Sequence, residues 1–172
     1  MHHQLRIGCV ALGASVLLAQ AVFAQPSREA TVDFDPGVTT ILQRTYGAKE
    51  AGVLRSDILA AVAKEESRAP LPEGLTLKVT VRKVMPTHPT MKQQLDDPSL
   101  SPARTRYLGG ADLVGELRDS KQQVLANVSY RNFADVLPAG SPSLDPWADA
   151  QQTIDTFAAK LAAAWGKLPT KS

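Results

Sequence analysis

Cysteine and histidine, the residues most used in metal sites and nucleophilic catalysis, are nearly absent from this chain. There is one cysteine, Cys9, and only His88 lies beyond the three N-terminal residues. No cysteine pair and no His-Glu-x-x-His pattern occurs, so zinc hydrolase and iron–sulfur chemistry have no support. A Ser-His-Asp triad would need His88, which lies far from any Gly-x-Ser-x-Gly turn. The sequence therefore predicts a protein that is not an enzyme and has no resident cofactor.

The chain also lacks a large excess of charge of either sign. Lysine and arginine number 19 against 17 aspartates and glutamates, and neither sign forms a long run. Because nucleic-acid binding needs a concentrated basic surface, DNA and RNA are excluded as expected partners. Hydrophobic residues at 44% and charged residues at 21% are ordinary values for a globular protein, so a disordered or fibrous chain is also excluded.

The clearest functional signal is the N-terminal segment, residues 1–24. His2, His3 and Arg6 make a basic start, an apolar stretch follows over residues 7–21, and the small residues Val22 and Ala24 occupy the positions that a signal peptidase inspects. We expect a signal peptide cleaved after Ala24. The alternatives are a buried first helix and a retained anchor. The second needs about twenty apolar residues, and this stretch is shorter.

Export places the mature chain, residues 25–172, in the periplasm. Lipidation at Cys9 is disfavoured because Arg6 stands where a lipidation box has an aliphatic residue and the apolar stretch follows the cysteine. Cleavage would then remove the only thiol, so the domain must be stabilised by its core without disulfides. We expect a single domain with no transmembrane segment in the mature chain. No feature of the sequence determines its oligomeric state.

Hydrophobic periodicity along the mature chain predicts the element order β-α-β-β-β-α. Alternation indicates strands at residues 30–34 and 75–82 and a hairpin joining 111–118 to 123–132, and period-3.6 patterns indicate helices at 53–67 and 146–165. Residues 38–46 fit either helix or strand. Three consecutive strands with helices elsewhere predict an α+β fold, in which an antiparallel sheet of about four strands packs against two helices.

The last predicted helix carries the most regular apolar stripe. Asp145 is expected as its N-cap and Pro146 as its first residue. Residues recurring every three or four positions should cover one face of the sheet. They are Trp147, Ala150, Ile154, Phe157, Ala158, Leu161 and Trp165. Trp147, at the helix start beside a loop, has a second interpretation as a ligand-stacking ring.

Several turn and strand-entry motifs carry a resemblance. They are residues 32–36 (Val-Asp-Phe-Asp-Pro), 46–50 (Tyr-Gly-Ala-Lys-Glu), 71–75 (Leu-Pro-Glu-Gly-Leu) and 117–120 (Leu-Arg-Asp-Ser). Together they resemble small proteobacterial periplasmic and outer-membrane lipoprotein families known as domains of unknown function. The resemblance implies an exported α+β domain and assigns no active-site residue.

The proline-rich segment at residues 85–102 has little periodicity and is predicted to be a long loop, which compact domains usually keep for a function. Within it, Met85 and Met91 stand three residues on either side of His88. Thioether and imidazole are ligands that Cu(I) accepts, and the neighbouring prolines limit the entropy lost on closing a site. The other interpretation is that both methionines pack the loop onto the sheet.

Two functions follow from these observations. The first is a non-catalytic envelope protein, an interaction or accessory domain whose long loop and sheet edge contact another cell-envelope protein. The alternative is a periplasmic Cu(I)-binding protein that uses Met85, His88 and Met91.

Overall fold

The computed structural model describes residues 30–136 and 143–168. The expected signal peptide, residues 1–24, and its cleavage site lie outside this part of the chain. The described elements are, in chain order, β1 (Ala30–Phe34), α1 (Pro36–Ile41), a π-helical segment (Leu42–Tyr46), α2 (Glu50–Glu66), β2 (Thr76–Met85), α3 (Met91–Asp96), β3 (Gly110–Arg118), β4 (Val124–Phe133) and α4 (Ala148–Trp165). None of the described helices is long and apolar enough to cross a membrane.

The α+β class and the four-stranded sheet are confirmed. The strands lie in the order β1-β2-β3-β4, and β2, β3 and β4 are antiparallel neighbours. The expectation of a wholly antiparallel sheet is wrong, because β1 pairs parallel to β2. The chain between these two strands forms α1 and α2, and such a helical crossover allows the second strand to run parallel to the first.

Both long helices are found near their predicted positions. The structure has more helices than the two predicted, since α1, the π-helical segment and α3 are additional. Residues 38–46, which fit either pattern, are helical, and Pro36 begins α1 at a position that favours proline. The last helix begins later than predicted, at Ala148. The Asp145 carboxylate accepts a bond of 2.7 Å from the Trp147 backbone N–H, so it caps the turn before α4.

The strand predicted at 75–82 continues to Met85 through a bulge. Val81 pairs with Leu113 and Lys83 pairs with Asp112, which leaves Arg82 as the extra residue. Arg82 and Lys83 are therefore both exposed, and the inward alternation resumes at Val84. A period-2 pattern ends at such a bulge, which explains why the predicted strand ends at 82.

One core lies between the sheet and the helices α2 and α4. All seven residues of the predicted stripe on the last helix are buried within it. Trp147 is 1% exposed, which favours packing over stacking on a ligand. The opposite face of the sheet carries ion pairs such as Lys78 with Asp33 (3.3 Å) and Arg82 with Asp112 (2.7 Å). A hydrophobic face and a charged face are usual for a half-covered sheet.

Candidate functional site

The segment that joins β2 to β3, residues 86–109, is called the strap here. Its first part is buried: Thr87 and Thr90 are fully covered, and His88 is 4% exposed. The Thr87 backbone N–H donates to the Pro146 carbonyl (2.6 Å), and the Thr87 hydroxyl accepts from the backbone N–H of Asp149 (3.0 Å). The strap is thus tied to the start of α4, and Thr87 satisfies an N–H that the first turn of a helix leaves unpaired.

Thr90 holds the next part of the strap from both sides. Its hydroxyl donates to the Tyr46 carbonyl (2.6 Å) and accepts from the Gln93 backbone N–H (3.4 Å). The Gln93 side chain accepts in return from the Thr90 backbone N–H (3.1 Å), which completes a capping box at the start of α3. A helix therefore stands within the segment expected to be a loop. The pattern Thr-x-x-Gln at 90–93 was the signal in the sequence that could have revealed it.

Tyr46 and Trp147, which lie at or next to the core carbonyls that hold the strap, pack against each other. Their rings meet edge to face with centroids 5.6 Å apart, and the indole N–H of Trp147 donates to a Glu50 carboxylate oxygen (2.6 Å). Burial raises the pKa of the Tyr46 phenol, and the neighbouring Tyr107 raises it further. The Tyr107 backbone N–H donates to the Thr87 carbonyl (2.8 Å), so the end of the strap is fastened to its beginning.

The three residues of the copper hypothesis lie in different environments. The His88 ring is buried, and its Nδ1 lies 3.2 Å from the Thr105 carbonyl oxygen. With Nδ1 as the donor, Nε2 is the nitrogen left for a ligand, and it is itself buried. Met85 is half-buried at the end of β2, whereas Met91 is 67% exposed on α3. Within residues 30–136 and 143–168, no three His, Cys, Asp or Glu side chains form a metal-binding group.

The outer face of α3 carries two exposed apolar side chains. Met91 is 67% exposed and Leu95 is 75% exposed. They stand four residues apart, which places them on one side of the helix. We call this pair the α3 ridge. Lys92 and Asp96, also four apart, form an ion pair of 2.6 Å beside it.

A surface cavity of about 580 Å³ lies near the start of the strap. Its apolar wall includes Val38, Ile41, Tyr46 and Met85. Tyr46 therefore has two roles, because it lines the cavity and its carbonyl also accepts the hydrogen bond from Thr90.

Comparison of the chain with protein-family models, curated proteins and solved structures gives no match. The resemblance to periplasmic domains of unknown function stays a prediction.

The buried polar residues of the strap bond to carbonyl and N–H groups of the core, and the strap presents the α3 ridge on its outer surface. The segment can be identified from the sequence, but Leu95 cannot, because an isolated leucine in a segment predicted to be a loop has no periodic partners to mark it.

Proposed function

We propose that this protein is an exported, non-catalytic interaction domain of the cell envelope that binds a partner protein through the α3 ridge. The observation that carries the proposal is the exposure of Met91 and Leu95 on one side of a helix that the rest of the molecule holds in place. Exposed apolar side chains placed together are a common mark of a protein interface.

The hydrogen bonds that hold α3 in place matter for binding as much as the ridge itself. Capping by Thr90 and the bond from the Gln94 amide to the Pro89 carbonyl (3.0 Å) order α3 before any partner arrives. Preorganisation lowers the entropy lost on binding. Burying a methionine or leucine side chain contributes about 1.5–3 kcal/mol, so two such residues can serve as the anchors of a modest interface.

The position of His88 supports a non-catalytic role. It is the only histidine of the mature chain, and its ring is enclosed and bonded to the Thr105 carbonyl. General acid–base catalysis needs a side chain within hydrogen-bond reach of the substrate. The Cu(I) alternative stays a prediction. It gains no support from the structure, because Met91 is exposed on the surface whereas the His88 imidazole is buried.

Export is the first testable part of this proposal. Protein recovered from the periplasm should begin at Gln25, because the small residues at Val22 and Ala24 direct cleavage there. Intact mass spectrometry should show the loss of residues 1–24. Recovery of the full-length chain from the cytoplasm would contradict the envelope function.

The α3 ridge is tested by the double variant Met91→Ala/Leu95→Ala. After crosslinking in envelope extract, we expect the variant to recover at least about tenfold less partner than the wild type, since a loss of 1.4 kcal/mol already lowers affinity tenfold. The variant should melt at the wild-type temperature, because neither side chain is buried.

A matched control removes two exposed apolar side chains elsewhere. Val53 is 43% exposed on α2 and Leu144 is 55% exposed before α4. Val53→Ala/Leu144→Ala should recover the partner as well as the wild type. If the ridge variant and this control recover the same crosslinked product in equal amounts, the ridge is not the binding surface.

A further inference from the structure

β4 is a long edge strand with little of the usual protection against pairing. Among residues 30–136 and 143–168, its one strand neighbour is β3. It runs for ten residues, contains no proline, and has Arg131 as its single charged residue. Its bulge, at Leu125, lies next to the hairpin end, and the register from Ala126 to Phe133 is regular. Edge strands are normally kept short or protected by charges, prolines or bulges. The opposite edge strand, β1, has five residues and carries Asp33.

The two faces of β4 are chemically distinct. Ala126, Val128 and Tyr130 are half-buried against the core, whereas Asn127 and Ser129 are exposed on the open face of the sheet. Any strand that pairs with β4 must therefore offer small or apolar residues toward the helix side and polar residues toward the open side.

The hydrogen bonds of the hairpin show which residues of β4 are available at the edge. The Ala134 N–H donates to the Gly109 carbonyl (2.9 Å), so this pair is a bonded one, and the β3–β4 register continues unbroken from there to Ala126. Bonded and non-bonded pairs alternate in an antiparallel ladder. The N–H and C=O groups of Asn127, Ser129 and Arg131 are consequently directed toward the free edge.

We propose that β4 pairs antiparallel with β4 of a second copy of this chain, about a two-fold axis at Val128. In this register Val128 lies opposite itself and Ala126 lies opposite Tyr130, so the apolar row of one core continues into the other. Asn127 and Ser129 form the bonded pairs on either side of the axis. The strand thus complements itself on both faces, and two sheets join into one of eight strands.

Charge favours this occupant. Arg131 would lie opposite the bulge at Leu125, where β4 carries no charge, so the arginines of the two copies do not oppose each other across the junction. Lys160, whose ammonium lies 5.1 Å from the Tyr130 ring centroid, is a cation on the helix side of the edge. On the open side, Arg82 bonds to the Ser129 hydroxyl, and its charge is paired with Asp112 (2.7 Å). Tyr130 and its copy are offset by four residues, about 13 Å along the strand direction, which keeps the two lysines apart. The α3 ridge has no part in this pairing, so this inference is independent of the proposed function.

The test is a charge pair built into positions that face each other only in the dimer. In Asn127→Lys/Ser129→Glu, each lysine would lie opposite a glutamate of the second copy. In Asn127→Glu/Ser129→Glu, glutamates would lie opposite each other. Both variants keep a group at position 129 that can accept from Arg82, which bonds to the Ser129 hydroxyl at 3.0 Å.

Light scattering after size exclusion should show a wild-type dimer. We expect the opposite-charge variant to remain dimeric and the like-charge variant to dissociate, with a dissociation constant at least about tenfold higher. If the wild type is monomeric at about 100 µM, the pairing is weaker than a micromolar dimer requires, and the inference is overturned. Two variants that dimerise equally well would also overturn it.

Amide hydrogen exchange on the wild type provides a check that does not depend on the variants folding. The amides of Asn127 and Ser129 should exchange more slowly as protein concentration rises, because pairing protects them. The Thr31 amide, on the other edge strand, should show no such dependence. Exchange at residues 127 and 129 that is independent of concentration would contradict the pairing.

Discussion

Replacing Phe157 by alanine is expected to lower the free energy of unfolding by about 3–5 kcal/mol, a large part of the stability of a domain this size. Phe157 is fully buried on α4. Its ring packs against β3 at Gly115, where an added Cβ would lie 3.0 Å from the ring and 2.5 Å from Leu161. The lack of a side chain at Gly115 makes room for the ring, so its removal leaves a cavity. Urea denaturation followed by tryptophan fluorescence measures the loss.

The control for this variant is Gln152→Ala on the same helix. Gln152 is exposed, so its truncation should change the stability by less than about 0.5 kcal/mol. Equal urea midpoints for the two variants would mean that the helix faces are wrongly assigned.

Gly110→Ala should destabilise the protein by about 2–5 kcal/mol, through two causes that act together. Gly110 opens β3 with φ at 147°, a conformation that residues with a side chain rarely adopt. An added Cβ would also stand 2.2 Å from the Asn132 carbonyl oxygen and 2.7 Å from the Phe133 Cα. These are backbone atoms of β4, which cannot move aside as a flexible side chain would. Thermal melting followed by circular dichroism reports the change.

Gly52→Ala is the matched control, with the opposite expected sign. Gly52 lies in α2, and nothing is within 4 Å of an added Cβ. Alanine is favoured over glycine within a helix, so this variant should be more stable by up to about 1 kcal/mol. If Gly110→Ala melts at or above the temperature of Gly52→Ala, the close contact between Gly110 and β4 is not present in solution.

The strap shows how the candidate site depends on the fold. Its buried threonines are polar residues between prolines, and such a segment is usually solvated in a loop. Here they bond to the Tyr46 carbonyl and to the Asp149 N–H, groups more than 40 residues away in the chain. A polar side chain can be buried when it finds such partners. No local pattern in the sequence contains that information.

The position of His88 has the same cause. The sequence places it midway between two methionines, a spacing that suggests a shared ligand. Folding instead directs the imidazole inward toward Thr105, while Met91 begins a helix on the surface. Spacing along an irregular segment does not determine which side chains share an environment, because each residue can turn toward a different neighbour.

The sequence by itself determined the fold class, most strands and the buried face of the last helix. These features rest on periodicities of 2.0 and 3.6 residues, which local geometry imposes wherever one face of an element is buried. The tertiary structure alone decided the parallel pairing of β1, the bulge at Arg82, and the burial of Thr87 and Thr90. Each of these depends on a partner that is distant in the chain, and hydrophobic periodicity carries no record of such partners.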